Sequence, residues 1–336
     1  MPFQMTEGDI VQMRVDAIVN AANSQLRMGG GVCGAVFQAA GPALLQKACD
    51  QIGYCPVGGA VITRGYGLYA RHVIHAVGPF WRGGGQSEAL LLRSAYTAAL
   101  RLAVDHRIRS IAFPLLSSGI FGYPKDLALS VALSAIGGFL VEQADVSVFL
   151  TIPDRTSLCL ARKRYSGIRN YIGARYTAQS TSAIGDLESE TERGYSAHPD
   201  RFSNIAPCAV PSGLEEAAAH LESTFSEAVL HWIDSKGFRK DSDVYRRANV
   251  DKSVFSKLRS NKGYAPSKST ALALAVGLGL SIHQTKDLIG RAGFALSPSC
   301  LADVIISYFI ENGVHDIFEI NAALFSFGQP CIGGKG

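Results

Sequence analysis

Short apolar runs alternate with longer amphipathic stretches through the first half of the chain. The apolar runs predict β-strands, and the stretches in which apolar residues recur at helical spacing predict helices. Strands that alternate with helices in this way indicate a mainly parallel sheet with helices on both faces. The predicted strands are 3–5, 16–20, 60–63, 72–77, 110–114 and 146–152, and the predicted helices are 34–51, 87–105, a stretch from Pro124, and 157–172.

After residue 213 the apolar positions follow a helical period only. Before them, Ser, Thr, Glu, Gly and Pro dominate a stretch without periodicity, which is typical of a flexible linker. We therefore expect an α/β domain over 1–173, a flexible linker over 174–213 and a separate all-α domain over 214–330. The helices predicted in the last part are 214–235, 242–248, 252–260, 269–279, 282–290, 300–311 and 317–327.

The composition narrows the class of protein without identifying it. The chain has 336 residues, of which 47% are hydrophobic and 18% are charged, enough to build sizeable cores. Its seven cysteines are scattered without the spacing of zinc ligands, as is usual for free thiols in a reducing cytosol. No apolar run in the sequence reaches the ~18 residues of a membrane helix. We expect a cytoplasmic protein without a metal, a cofactor or a membrane contact.

Two glycine-rich loops follow predicted strands, at the edge of the sheet where open α/β folds bind ligands. The first contains Asn20 and Asn23, then the glycines 29–31, and a helix is predicted from Gly34. The second has the sequence SSGIFGYP over 117–124. Glycine lets backbone N–H groups approach a ligand, and a helix start favours an anion. The pattern predicts a ligand that carries both phosphate and hydroxyl groups.

The first loop also matches the glycine spacing of a dinucleotide-binding turn, with Gly29, Gly31 and Gly34 followed later by Asp50. That spacing alone is a weak signal. In a dinucleotide-binding fold the glycines follow the strand almost at once. Here Gly29 lies nine positions after Asn20. A hydride-transfer enzyme is therefore the less favoured interpretation.

Five motifs, in their order along the chain, resemble a macrodomain of the MacroD type. They are GDI at 8–10, DAIVNAAN at 16–23, GGGVCGAVFQAAG at 29–41, VIHAVGP at 73–79 and SSGIFGYP at 117–124. The resemblance covers residues 1–173 and implies a three-layer α/β/α sandwich that binds ADP-ribose or an ADP-ribosylated protein. Many members of that family hydrolyse ADP-ribosyl esters on acidic side chains or deacetylate O-acetyl-ADP-ribose.

The resemblance also implies roles for individual residues. Asp9 would bind the adenine amino group with Ile10 beside it, and Ile152 would pack on the adenine ring. Asn23 would hold the distal ribose, which Phe121 would also cover. The other expected ligand contacts are Asn20, the backbone of Gly30, Gly31 and Val32, and the second-loop residues Ser117, Gly119, Ile120 and Gly122. Together the two loops would enclose one diphosphate.

One position departs from that family in a way that bears on catalysis. Active members carry an aspartate that positions or activates water where this chain has Cys33, and a histidine where it has Phe37. A neutral thiol is a poor base, although a helix start could make it a nucleophilic thiolate. Alternatively, Cys33 is a small apolar side chain that closes the loop. Two functions remain open: a hydrolase with Asn23 and Cys33 as catalytic residues, or an ADP-ribose sensor without turnover.

The helical half contains a basic segment, 236–268, with ten Lys or Arg against three Asp. Part of it resembles a lambda-repressor-like helix-turn-helix, with helices at 244–248 and 252–259, the turn at 249–250 and a supporting helix at 268–280. That resemblance implies contacts with DNA. The expected contacts are Lys252, Ser253, Ser256, Lys257 and Arg259. The alternative is a solvated basic face on a protein-binding module.

Overall fold

A six-stranded sheet forms the centre of the first part of the chain. The computed structural model describes residues 3–142, 146–153, 165, 167–168, 170–171 and 223–333. The strand order is β1-β6-β5-β2-β4-β3, and each neighbouring pair is parallel except β3 with β4. The strands are β1 Phe3–Glu7, β2 Ala17–Ala21, β3 Ala60–Arg64, β4 His72–Ala76, β5 Ser110–Pro114 and β6 Ser147–Ile152.

Helices cover both faces of this sheet. They are α1 Gly31–Ala40, α2 Pro42–Ile52, α3 Glu88–Asp105 and α4 Lys125–Glu142. Along β2, Ile18 faces the core that includes α1 and α2, whereas Ala17 and Val19 face the core that includes α3 and α4. A parallel strand buried on both faces needs a continuous apolar run, as β2 has. The three-layer α/β/α architecture is confirmed.

The first ligand-loop helix begins earlier than its sequence indicates. α1 starts at Gly31, three residues before the predicted Gly34. Glycine has a low helix propensity, so the sequence pattern does not reveal that Gly31 belongs to the helix. The expected interruption is present at Gly41, whose φ of 95° lies in a region that favours glycine. Pro42 then takes the first position of α2, where its missing N–H is tolerated.

The described part of the second half is all-helical. Its helices are α5 Phe225–Ser235, α6 Asp241–Arg247, α7 Lys252–Ser260, α8 Lys268–Gly277, α9 Ile282–Gly290, α10 Leu301–Glu311 and α11 Ile317–Ser326. The predicted linker 174–213, the start of the helix predicted at 214–235 and most of the helix predicted at 157–172 lie outside the described residues.

The helical part packs against the open edge of the sheet, at β1. Phe318 of α11 meets the ring of Phe3 edge-on, with 5.4 Å between ring centroids. It also lies so close to α4 that a Cβ on Gly137 would stand 2.9 Å from its ring. One apolar core therefore runs from the α4 face of the sheet into the helical part. The contact covers an edge strand, which would otherwise expose unpaired backbone groups.

Two side chains next to the turn between α6 and α7 fix this contact. The Asn249 amide accepts from Phe3 N and donates to Phe3 O, both at 2.9 Å, so it pairs with β1 as a neighbouring strand would. Arg246 donates to the last carbonyls of α4, those of Val141 and Glu142, at 3.0 and 2.9 Å. These carbonyls have no partner within α4 itself, because they belong to its last turn.

Candidate functional site

A cavity of about 480 Å³ opens at the carboxyl ends of β2, β5 and β6. Ligands in open α/β sheets bind at this edge. The two glycine-rich loops form most of its wall: residues 21–33, called the first loop below, and residues 114–122, called the second loop. The lining residues are Ala21, Ala22, Asn23, Gly29, Gly30, Gly31, Val32, Cys33, Gly78, Pro114, Leu115, Leu116, Ser117, Ser118, Gly119, Ile120, Phe121, Lys125, Ile152 and Pro153.

The first loop brings the start of α1 to the cavity. Gly30 is the residue before the helix and offers no side chain to cap it, so the N–H groups of the first turn are available to a ligand. Gly31 has a φ of 60°, which a side chain would disfavour. A Cβ on Gly34 would lie 2.7 Å from the carbonyl oxygen of Gly29, so the loop can fold back on the helix only with glycine there.

The second loop presents backbone donors from the opposite wall. Among the described residues, the N–H groups of Gly119, Ile120 and Phe121 have no backbone acceptor. Ser117 holds a left-handed φ of 62°, and its buried hydroxyl has no partner within the described residues. A non-glycine residue in this conformation is strained and is usually held by its surroundings at a functional site.

The two loops meet across the cavity. The terminal carbon of Ile120 lies 3.1 Å from the point where a Cβ on Gly30 would stand, so the second loop reaches over the first. Behind it, Phe121 stacks on Phe80 with 3.8 Å between ring centroids, and its carbonyl accepts from Trp81 N at 2.9 Å. Glu88 in turn accepts hydrogen bonds from three backbone N–H groups of the loop after Trp81. Backbone donors therefore converge on one space from both sides.

Asn23 and Cys33 both contact the backbone of Arg27. The Asn23 amide donates to Arg27 O at 2.7 Å and accepts from Arg27 N at 3.1 Å. One amide hydrogen and one oxygen lone pair remain for a ligand, because a side-chain amide has two of each. The Cys33 thiol lies 3.8 Å from Arg27 O, to which it donates, and it accepts from Asn20 Nδ2 at 3.7 Å.

A buried hydrogen-bond chain lies on the far side of Cys33. Asn20 Nδ2 lies 3.0 Å from His75 Nδ1, and Thr63 Oγ1 lies 2.9 Å from His75 Nε2. Because the amide nitrogen donates, Nδ1 accepts and the ring proton sits on Nε2. Burial lowers the pKa of His75 to about 4, so the ring is neutral near pH 7.

Four of the predicted ligand residues do not line the cavity. Asn20 is wholly buried, with its amide nitrogen bound to His75 and Cys33. Asp9 caps the 3₁₀ turn Ile10–Gln12 by accepting from Val11 N. This turn lies near the Ile152 end of the cavity, since Gly8 N donates to Ile152 O at 3.0 Å. The other two are Ile10, which is buried, and Gly122. The structure thus gathers ten of the fourteen predicted residues around the cavity.

The sequence did not single out Gly78 and Lys125, which also line the cavity. A Cβ on Gly78 would stand 2.2 Å from the hydroxyl oxygen of Ser117, so a side chain there would force the Ser117 hydroxyl out of its present position. Gly78 belongs to the VIHAVGP motif, which offered a signal for it. Lys125 supplies a positive charge at the start of α4, directly after the second-loop motif.

The predicted DNA-contacting side chains lie on one helix, α7. Lys252, Ser253, Ser256, Lys257 and Arg259 are all exposed there. Arg259, however, forms a double hydrogen bond with Asp241, at 2.7 and 2.6 Å. Other basic residues of the segment are also paired, Lys262 with Glu227 and Lys268 with Asp303. The free positive charge is therefore smaller than the sequence count indicates.

Neither a metal centre nor a membrane span is found in the parts of the chain that the structure covers. No group of three or more His, Cys, Asp or Glu among the described residues could hold a metal ion. Within the same residues, no helix has the length and apolar character needed to cross a bilayer.

Comparison with known proteins assigns the first part of the chain to a family. The sequence profile of the Macro domain matches residues 19–132. A Macro domain-containing protein of Methanosarcina mazei is 48% identical over 167 residues, which are 49% of this chain and 89% of that protein. The chain belongs to the macrodomain family. The cavity thus lies between the two glycine-rich loops of its macrodomain.

Two further macrodomain relatives have informative names. A protein of Salmonella gallinarum named O-acetyl-ADP-ribose deacetylase is 48% identical over 166 residues, which are 48% of this chain and 92% of that protein. A solved structure of a Trypanosoma brucei macrodomain in complex with ADP-ribose is 35% identical, with a TM-score of 0.43. The match covers 49% of this chain and 69% of the Trypanosoma brucei chain.

Proposed function

We propose that this chain binds ADP-ribose in the cavity between its two glycine-rich loops. The observation that carries the proposal is the convergence of backbone donors from both loops on one cavity, with Ile120 reaching over Gly30. Such donors, at the start of α1 and within the second loop, suit a diphosphate. Lys125 adds a positive charge. A relative 48% identical to this chain is named an O-acetyl-ADP-ribose deacetylase, which supports the same ligand.

We further propose that the chain hydrolyses ADP-ribosyl esters or O-acetyl-ADP-ribose. Asn23 keeps hydrogen-bonding capacity that would hold the distal ribose or the attacking water. Cys33 lies in the same wall of the cavity, and its thiol donates to Arg27 O. A thiol that donates in this way suits a small polar wall residue better than a general base. Hydrolysis would then depend on the backbone donors that stabilise charge developing in the transition state. A sensor without turnover is the alternative, since the usual aspartate is absent at Cys33.

A side-by-side turnover assay separates these two functions. The substrates are O-acetyl-ADP-ribose and a protein ADP-ribosylated on glutamate, tested with the wild-type chain, Asn23→Ala and Cys33→Ser. A hydrolase should release product from at least one substrate, and Asn23→Ala should lower the rate by about 10²-fold or more, as loss of a positioning contact does. Binding of ADP-ribose without turnover of either substrate would instead identify a sensor.

We also propose that the exposed face of α7 binds DNA. The supporting observation is that Lys252, Ser253, Ser256 and Lys257 are exposed together on a helix that follows a short helix and turn. A gel-shift series at increasing salt tests it, because each neutralised phosphate adds about 0.9 to the slope of log affinity against log salt. Lys252→Ala with Lys257→Ala should lower that slope by about 2. Absence of binding at low salt would favour a protein-binding module.

A further inference from the structure

The side chain of Gln46, on α2, holds the backbone of the first loop just before its glycines. Its amide oxygen accepts from Met28 N at 3.0 Å, and its amide nitrogen donates to Leu26 O at 3.2 Å. The nitrogen also donates to Asp50 Oδ1 at 3.0 Å, one turn further along the same helix. Only one orientation of the amide satisfies all three contacts, and Asp50 favours the same orientation as the two backbone groups of the loop.

The stretch that Gln46 holds includes a strained residue. Leu26 has a φ of 55°, uncommon for a bulky residue, and its side chain is buried. Such a conformation persists only where the surroundings impose it. Gln46 binds the carbonyl of this residue and the N–H two residues later. The intervening residue, Arg27, is therefore held on both sides.

Arg27 is also the residue that Asn23 and Cys33 contact. Asn23 binds its N–H and its carbonyl, and the Cys33 thiol donates to the same carbonyl. The Arg27 side chain reaches Asp50, with 3.8 Å between the nearest charged atoms. Hydrogen bonds thus connect α2 to the backbone segment that Asn23 and Cys33 contact.

We propose that Gln46 is a positioning residue for the first-loop end of the ADP-ribose site, where Asn23, Cys33 and the glycines lie. The inference rests on the proposed function. It implies that losing the Gln46 amide weakens ligands that reach the first loop and spares ligands that do not. ADP-ribose carries the distal ribose proposed to reach Asn23, whereas AMP does not.

The test compares Gln46→Met with Gln51→Met, which lies exposed on the same helix. Calorimetric titration of the full chain with ADP-ribose should show about tenfold weaker binding for Gln46→Met, the order expected from two lost hydrogen bonds. AMP affinity should change less than about twofold, within the usual range for surface substitutions. Gln46→Glu keeps the acceptor for Met28 N but sets a carboxylate oxygen against Leu26 O and Asp50 Oδ1, so its ADP-ribose affinity should also fall below that of the wild type. Gln51→Met should match the wild type for both ligands.

Hydrogen exchange provides a readout that needs no ligand. The Met28 amide proton is protected by Gln46, so it should exchange faster in Gln46→Met than in Gln51→Met. Equal loss of ADP-ribose and AMP affinity, or no loss of either, would overturn the inference. A wild-type chain that does not bind ADP-ribose would overturn the proposed function, and unchanged exchange at Met28 would independently show that Gln46 does not fix the loop.

Discussion

Replacing Asn249 should weaken the contact between the helical part and the edge of the sheet. In Asn249→Gly the N–H and the carbonyl of Phe3 lose their hydrogen-bond partner. The contact is shielded from water, since Asn249 is only 1% exposed. Each unpaired buried group costs about 1–3 kcal/mol, so the free energy of unfolding should fall by about 2–6 kcal/mol. Asn249→Ala should cost about 1 kcal/mol more, because Asn249 has a φ of 51° that alanine adopts poorly.

Tryptophan fluorescence during urea unfolding measures this effect in each part separately. The chain has two tryptophans, Trp81 in the macrodomain and Trp232 in the helical part, so Trp81→Phe and Trp232→Phe variants each isolate one signal. Both signals should change together in the wild type, since one core connects the parts. Ser260→Ala, at an exposed position of α7, serves as the control. A loss below about 1 kcal/mol in Asn249→Gly would refute the reasoning, because it would match an ordinary surface substitution.

Three further predictions concern the macrodomain. The pKa of His75 is about 4 in the folded chain and 6.5 in the unfolded chain, so the unfolded chain binds the proton first as pH falls. About 2 kcal/mol of the free energy of unfolding should therefore be lost between pH 7.5 and 5. Urea unfolding should show a flatter pH profile in His75→Gln, and an unchanged profile would contradict the assignment. Burial, with smaller contributions from Cys33 and Asp50, raises the pKa of the Cys49 thiol to about 11, so mass spectrometry after iodoacetamide treatment at pH 8 should find Cys49 unmodified in the native chain, and rapid labelling would contradict this. Gly34→Ala should weaken ADP-ribose binding at least about tenfold in calorimetry because its Cβ would displace the Gly29 carbonyl, and wild-type affinity would contradict a tight first loop.

The strands and the ligand loops were predictable because their causes are local. A continuous apolar run such as that around Ile18 suits a strand buried on both faces, whatever its neighbours are. Gly34, directly after the first loop, is required by a close backbone approach, because a Cβ there would lie 2.7 Å from the carbonyl oxygen of Gly29. Requirements of this kind restrict the residue type at individual positions, so they can be recognised from the sequence alone.

The pairing of charges and the contact between the two parts were not predictable. Lys268 is paired with the buried Asp303, which lies outside the basic segment, so counting charges within 236–268 overstated the free positive charge. Asn249 pairs with Phe3 across 246 positions of the chain. A single asparagine in a turn more often indicates a left-handed residue than a partner for a distant strand. Such contacts depend on the arrangement of complete elements and leave no local pattern.

Calorimetric titration of the wild-type chain with ADP-ribose tests the central claim most directly. If backbone donors from both loops converge on one diphosphate, heat should be released in a saturable transition with one ligand per chain. The dissociation constant should lie well below 1 mM, because several charge-assisted hydrogen bonds form at once. Failure to saturate at millimolar ADP-ribose would contradict the account.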